Sequence, residues 1–153
     1  MEKRIHAPEV YWSKYIKRDP CFLSESSSAF DEEHDQYARG FCTNLKGTRL
    51  LEIGCGDGAG AIGLVRKYSC RKVFAIDISY VRLQIARENV SRSGLSGKIR
   101  LLQMDANQLA FSDRYFDVVF CNSVVLFLDR SRFFPKWYVC SSQGAVCFYS
   151  GKL

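Results

Sequence analysis

The sequence lacks an apolar run long enough to cross a bilayer. Its longest apolar stretch, residues 118–128, is interrupted by Asn122 and Ser123, and it falls well short of the roughly 20 residues that a membrane-spanning helix needs. The first residues, MEKRIHAPEVYW, lack the apolar centre of a secretion signal. We therefore expect no membrane partner, no secretion and a cytoplasmic location.

Metal and disulfide chemistry have little support in the sequence. It contains only two histidines, His6 and His34, and its seven cysteines are scattered without a C-x-x-C pair. An odd number of dispersed cysteines is not a disulfide framework, and the spacing fits no zinc site. We predict no metal site and reduced thiols.

Nucleic acid is not an expected partner, although the net charge is +6. The cations of residues 51–153 are mostly single, apart from Arg66-Lys67 and Arg71-Lys72, and no arginine-rich run or aromatic RNA-binding motif is present. A solvated basic surface explains this distribution better than a nucleic-acid site.

The most specific feature is the segment LLEIGCGDGAG, residues 50–60. An apolar run ends at Glu52, and glycines then occupy every second position: Gly54, Gly56, Gly58 and Gly60. This pattern is typical of a buried parallel strand whose tight turn opens a helix. Because glycine tolerates positive φ and a close ligand, the segment predicts a nucleotide site.

The first 47 residues differ in pattern from the rest. They are polar and rich in aromatics, with a helix predicted over residues 31–44. We interpret residues 1–47 as a helical lid or substrate segment in which Tyr11, Trp12 and Tyr15 cover the site. The same aromatics equally suit the core of the N-terminal helices.

From residue 48 onward, apolar strands alternate with helical patterns, which indicates a single α/β core with a parallel sheet covered on both faces. We predict strands over residues 49–53, 72–76, 98–103, 116–121 and 145–149, and helices over residues 59–68, 80–93 and 130–140. Four of these strands lead into Glu52, Asp77, Asp105 and Asn122. In an open parallel sheet that edge binds ligands, so these groups are expected to converge there.

These segments resemble the class I S-adenosylmethionine-dependent methyltransferases, in particular the UbiE-like, small-molecule type. LLEIGCGDGAG is similar to their first motif and AIDIS to their second, while QMDANQLAF and FDVVFCNSVVLFL are similar to the third and fourth. The resemblance covers about residues 48–128. It implies a Rossmann-like fold, S-adenosylmethionine as cofactor, and in-line transfer of its methyl group to a small-molecule acceptor.

The resemblance also assigns roles around the methionine and ribose parts of the cofactor. Glu52 would hold the ammonium group. The backbone of Gly54, Cys55, Gly56 and Gly58 would pass close to the cofactor, and Asp77 would accept hydrogen bonds from the ribose hydroxyls. Because Ser79 follows Asp77 closely, simple turn and cap chemistry is the alternative for Asp77.

Around the adenine, Ile78 would pack on the ring face and Asp105 would accept from the exocyclic amine. The N–H of Ala106 would address a ring nitrogen. Asn122 would lie at the edge where family members place the acceptor.

No side chain stands out as a catalytic base. Asn122 and His34 are the candidates, but His34 lies among four acids and is better explained as a solvated helical residue. The N-P-P-Y type of motif that methylates base amines or glutamine is missing, which favours a small-molecule acceptor and leaves a protein acceptor as an alternative.

Among nucleotide-binding proteins, an NAD-dependent oxidoreductase is the alternative to a methyltransferase, because GCGDGA satisfies G-x-G-x-x-[GA]. Glu52 and Asp57 count against it, since carboxylates disfavour a pyrophosphate in the turn.

The C-terminal part departs from the family pattern, in which two more strands follow the fifth. We expect a sheet truncated after strand 5, whose exposed edge a homodimer or another partner would cover. A degenerate member that binds the cofactor or a partner without turnover is the alternative to an active enzyme.

Overall fold

The computed structural model describes residues 45–122, 124, 127–129, 138–142 and 145–149. The predicted helix over residues 31–44, the lid residues Tyr11, Trp12 and Tyr15, and His34 lie outside these residues. So does most of the helix predicted over residues 130–140.

The described elements follow the predicted alternation. In chain order they are β1 (Arg49–Ile53), α1 (Ala59–Tyr68), β2 (Lys72–Asp77), α2 (Tyr80–Arg92), β3 (Ile99–Gln103), a 3₁₀ turn (Ala106–Gln108), β4 (Val118–Asn122), β5 (Tyr138–Ser142) and β6 (Ala145–Tyr149). The predictions for β1 to β4, α1 and α2 are confirmed to within two residues. Neither described helix combines the length and hydropathy that a bilayer crossing requires.

The six strands form one sheet in the order β3-β2-β1-β4-β6-β5. β1 pairs in parallel with β2 on one side and with β4 on the other, and β2 pairs in parallel with β3. The chain therefore moves outward from β1 to β3 and then returns to the other side of β1. The strand order reverses there, and such a reversal is where ligands bind at the carboxyl edge of an open sheet.

The C-terminal strands correct the prediction for that part of the chain. Residues 138–140, expected in a helix, belong to β5, which pairs antiparallel with β6. β6 also pairs antiparallel with β4, from Val118↔Tyr149 to Asn122↔Ala145. The exposed edge predicted for residues 145–149 is therefore wrong, because β5 covers that strand.

Alternating residues of β1 fill the two faces of the sheet. Leu50 belongs to a core cluster shared with residues of α1 and α2, whereas Leu51 and Ile53 belong to a cluster on the opposite face. Because side chains of a strand alternate between faces, Glu52 shares the face of Leu50 and lies toward α1. A backbone hydrogen bond from Ala61, in the first turn of α1, to the Glu52 carboxyl agrees with this placement.

Four aromatic rings pack together in the cluster on the other face. Phe74 of β2 contacts Phe111, Tyr115 and Phe116 edge to face, with ring centroids 5.9, 5.5 and 5.3 Å away. Such geometry is the favourable one for aromatic pairs. Phe74 is therefore central to this half of the core.

Replacing Phe74 with alanine should lower the free energy of unfolding by about 3–5 kcal/mol, because it removes a buried ring and leaves a cavity. The matched control is Phe127→Ala, at a phenylalanine that is 40% exposed, which should cost less than about 1 kcal/mol. Urea denaturation measures both. Equal losses would contradict the placement of Phe74 in the core.

Candidate functional site

The turn between β1 and α1 requires glycine at position 54. Gly54 adopts φ +75, and a Cβ built there would lie 2.8 Å from both methyl carbons of Val124. Gly58, the N-cap of α1, adopts φ +83. The left-handed backbone and the close packing of Val124 both exclude a larger residue at Gly54.

Asp77, the last residue of β2, holds this turn in place. Its Oδ2 accepts a hydrogen bond from the Gly56 N–H at 2.8 Å, and its Oδ1 accepts one from the Ser79 N–H at 2.9 Å. The side chain is buried. Asp77 thus makes the turn and cap hydrogen bonds that are the alternative to a ligand-binding role. Each carboxylate oxygen still has a second acceptor position that a ligand could use.

Glu52 is a buried acid with one unsatisfied oxygen. Its residue is 2% exposed, and Oε2 has no hydrogen-bond partner among the described residues. Burial raises the pKa of the Glu52 carboxyl to about 8, and the nearby Asp57 and Asp77 add to the rise. The folded protein therefore keeps this carboxyl largely protonated near pH 7. A cationic group bound beside it would favour the ionised form.

A cleft opens at the carboxyl edge of β1, β2 and β3. Its lining contains five of the predicted cofactor residues: Gly54, Asp77, Ile78, Asp105 and Ala106. The remaining lining residues are Ile53, Ile76, Arg82, Met104, Asn107, Val124, Phe127 and Leu128.

The other predicted residues do not line this cleft. Gly56 and Gly58 belong to the turn, and Cys55 is buried, which raises the pKa of its thiol. Glu52 lies directly before the lining residues Ile53 and Gly54. Asn122 is the last residue of β4 and pairs with Ala145 of β6.

Two polar lining residues were not predicted from the sequence. The guanidinium of Arg82, near the start of α2, lies 3.2 Å from the position of a Cβ on Gly56. Asn107 hydrogen-bonds to the backbone of the segment that follows β4. The N-cap at Ser79 could have placed Arg82 in the first turn of a helix beside the ligand edge, whereas nothing local distinguishes Asn107.

Comparison with known families agrees with this geometry. Residues 50–144, more than half of the chain, match the family model described as a methyltransferase domain. The chain belongs to this methyltransferase family. The resemblance to S-adenosylmethionine-dependent methyltransferases and the Rossmann-like fold predicted from the sequence are thereby confirmed.

Individual methyltransferases are similar over parts of the chain. Phosphatidylethanolamine N-methyltransferase of Cereibacter sphaeroides is 42% identical over 111 residues, which cover 72% of this chain and 50% of the relative. The ubiquinone/menaquinone biosynthesis C-methyltransferase UbiE of Stutzerimonas stutzeri is 36% identical over 78 residues, 48% of this chain and 29% of the relative.

A solved structure shows the same fold. Phosphoethanolamine N-methyltransferase 1 of Haemonchus contortus, in complex with phosphoethanolamine and S-adenosylhomocysteine, superposes with a TM-score of 0.62 at 21% identity, over 80% of this chain and 26% of that chain. The curated relatives are longer proteins, since the match spans between 22% and 50% of the length of the first ones found.

The requirement for glycine at position 54 can be tested with Gly54→Ala. We expect it to destabilise the protein by at least about 1 kcal/mol more than Gly94→Ala, because the added methyl group must displace Val124. Gly94 is the matched control, since it adopts a similar φ of +71 but has nothing within 4 Å of an added Cβ. Denaturant unfolding measures both variants, and equal losses would contradict the close packing of Val124.

The raised pKa of Glu52 predicts a pH dependence of stability. Between pH 4.5 and about 8, the folded protein binds a proton on Glu52 that the unfolded chain has released. The stabilisation from Glu52 is therefore fully present below pH 4.5, the pKa of this carboxyl in the unfolded chain. It is lost as the pH rises through about 8, the pKa of the carboxyl in the folded protein. As the pH rises across that window, the free energy of unfolding of the wild type should fall relative to that of Glu52→Gln, because the glutamine stays neutral.

Urea unfolding of both proteins at about pH 5 and about pH 8 measures this difference, because the two ends of the window bracket the titration. A wild-type to Glu52→Gln difference that stays constant with pH would contradict the burial of a titrating carboxyl at this position.

Proposed function

We propose that the cleft binds S-adenosylmethionine and that the protein transfers its methyl group to a small-molecule acceptor. The observation that carries the proposal is the convergence of Asp77, Ile78 and the Asp105-Ala106 pair in one cleft. Ribose requires a hydrogen-bond acceptor for its hydroxyls. Adenine requires an apolar side chain on its ring face and, at its edge, an acceptor beside a backbone donor.

The adenine side of this site has unused hydrogen-bonding groups. Asp105 Oδ1 accepts from the Asn107 N–H at 2.9 Å, while no described residue donates to Oδ2. The Ala106 N–H likewise has no acceptor among the described residues. Oδ2 and this N–H would pair with the exocyclic amine and an adjacent ring nitrogen of adenine.

The ribose and adenine sides are held together by the ends of β2 and β3. The Met104 N–H donates to the Asp77 carbonyl at 3.1 Å, and Gln103 Nε2 donates to the Ile78 carbonyl at 3.1 Å. Asp77 and Asp105 therefore keep a fixed separation, which is the preorganisation that favours one ligand geometry over others.

The methionine end of the ligand would lie toward Glu52. The unpartnered, buried Oε2 would accept a charge-assisted hydrogen bond from the ammonium group. The same surroundings disfavour a dinucleotide, because Asp57 and Asp77 bring two carboxylates to the glycine turn, whereas the nearby cation among the described residues is the single guanidinium of Arg82. A pyrophosphate there would meet a net negative charge instead of the positive potential it needs.

For the reaction, the residues of the chain need to align the acceptor and exclude water. The bound cofactor supplies a methyl group already activated on a sulfonium. The apolar side chains of Ile53, Met104, Val124 and Leu128 line the cleft, and such a lining favours in-line attack by shielding the reacting atoms from water. Asn122 and His34 stay the candidates for contact with the acceptor, and the segment over residues 1–47 stays the proposed lid.

Calorimetry with S-adenosylmethionine, S-adenosylhomocysteine and NAD tests the proposal. We expect the first two to bind and NAD not to bind. Asp77→Asn should weaken binding of S-adenosylhomocysteine by roughly 1–3 kcal/mol, because it removes a charged acceptor for the ribose. Asp113→Asn, an exposed aspartate outside the cleft lining, is the matched control and should leave the affinity unchanged.

Binding of NAD alone would overturn the proposal, and unchanged affinity in Asp77→Asn would overturn the ribose assignment. Cofactor binding without formation of S-adenosylhomocysteine, across amine, hydroxyl and thiol acceptors, would favour the non-catalytic alternative.

A further inference from the structure

One side chain joins the two sides of the cleft. Asn107 Nδ2 donates to the Phe127 carbonyl at 3.2 Å, and Asn107 Oδ1 accepts from the Asp129 N–H at 2.6 Å. Asn107 lies in the 3₁₀ turn after β3, whereas Phe127 and Asp129 follow β4. Both hydrogen-bonding ends of this amide are therefore used to hold a segment that is distant in sequence.

The held segment forms part of the cleft. We call Val124 and residues 127–129 the acceptor wall. Val124 packs on Gly54, and its carbonyl accepts from the Phe127 N–H at 2.9 Å. Leu128 is buried in the core, but Phe127 is 40% exposed at the cleft. Val124 and Leu128 anchor this wall by packing, and the two hydrogen bonds of Asn107 attach its backbone to the turn after β3.

Asn107 is also connected to the proposed adenine contact. Its own N–H donates to Asp105 Oδ1 at 2.9 Å, and the Gln108 N–H donates to the Asp105 carbonyl at 2.9 Å. An unbroken series of hydrogen bonds thus runs from the Asp105 carboxylate through Asn107 to the acceptor wall. Such a contiguous series is a physical route by which order at one end is transmitted to the other.

We propose that Asn107 is a positioning residue that couples cofactor binding at Asp105 and Ala106 to the ordering of the acceptor wall. This inference rests on the proposed function. Ligand contacts to Asp105 Oδ2 and the Ala106 N–H fix the turn, and the turn fixes the amide plane of Asn107. Bound cofactor would thereby stabilise the wall in the position that Asn107 holds in this structure, so binding of the cofactor would favour binding of the acceptor.

Hydrogen exchange measured by mass spectrometry, with and without saturating S-adenosylhomocysteine, tests this coupling. In the wild type, the ligand should slow exchange in peptides covering residues 124–129 by about two- to tenfold, the factor that one hydrogen bond provides. In Asn107→Ala, the ligand should still slow exchange at residues 77–79 but no longer at residues 124–129. A side chain that only supports the fold would raise exchange equally with and without ligand, and would not change this difference.

Gln108→Ala is the matched control, because Gln108 is the next residue and its side chain is exposed. It should keep the ligand-dependent slowing. Asn107→Asp keeps the acceptor for the Asp129 N–H and loses the donor to Phe127, so it should keep part of the slowing and provides a second variant if Asn107→Ala does not fold.

Full retention of the slowing at residues 124–129 in both Asn107 variants would overturn the coupling while leaving the proposed function intact. Absence of slowing anywhere in the wild type would overturn the proposed function and the coupling with it.

Discussion

The hydrogen bonds accepted by the Asp77 carboxylate are the constraint on which the cleft depends. One oxygen holds the Gly56 N–H of the turn after β1, and the other holds the Ser79 N–H at the start of α2. A buried carboxylate with two such bonds ties the ends of two neighbouring strands together. It also complements the positive end of the α2 dipole. The turn, the helix and the proposed ribose side of the site thereby share one anchor.

Local signals explain why the first half of the described fold was predictable. The apolar run before Gly54 indicates β1, and Ser79 and Gly94 are residue types typical of the start and the end of a helix. In the structure Ser79 is the N-cap and Gly94 adopts φ +71 just beyond Ser93. Capping residues and strand-to-turn transitions carry their information within a few residues, so an isolated sequence is enough to locate them.

The C-terminal strands were not predictable in the same way. Residues 138–140 were expected in a helix, yet they pair with β6, and β6 pairs with β4. Pairing of this kind is decided by distant partners and by burial within the sheet, which β propensity alone does not determine. Asn107 is a similar case, because its importance comes from contacts with residues far along the chain.

We propose that one cleft, anchored by Asp77, binds S-adenosylmethionine with its amino-acid end toward Glu52. The most direct measurement is a crystal structure of the chain grown with S-adenosylhomocysteine. We expect the ribose hydroxyls on the Asp77 carboxylate, the adenine beside Ile78 and Asp105, and the ammonium group on Glu52 Oε2. A ligand bound elsewhere, or one whose ribose makes no contact with Asp77, would contradict it.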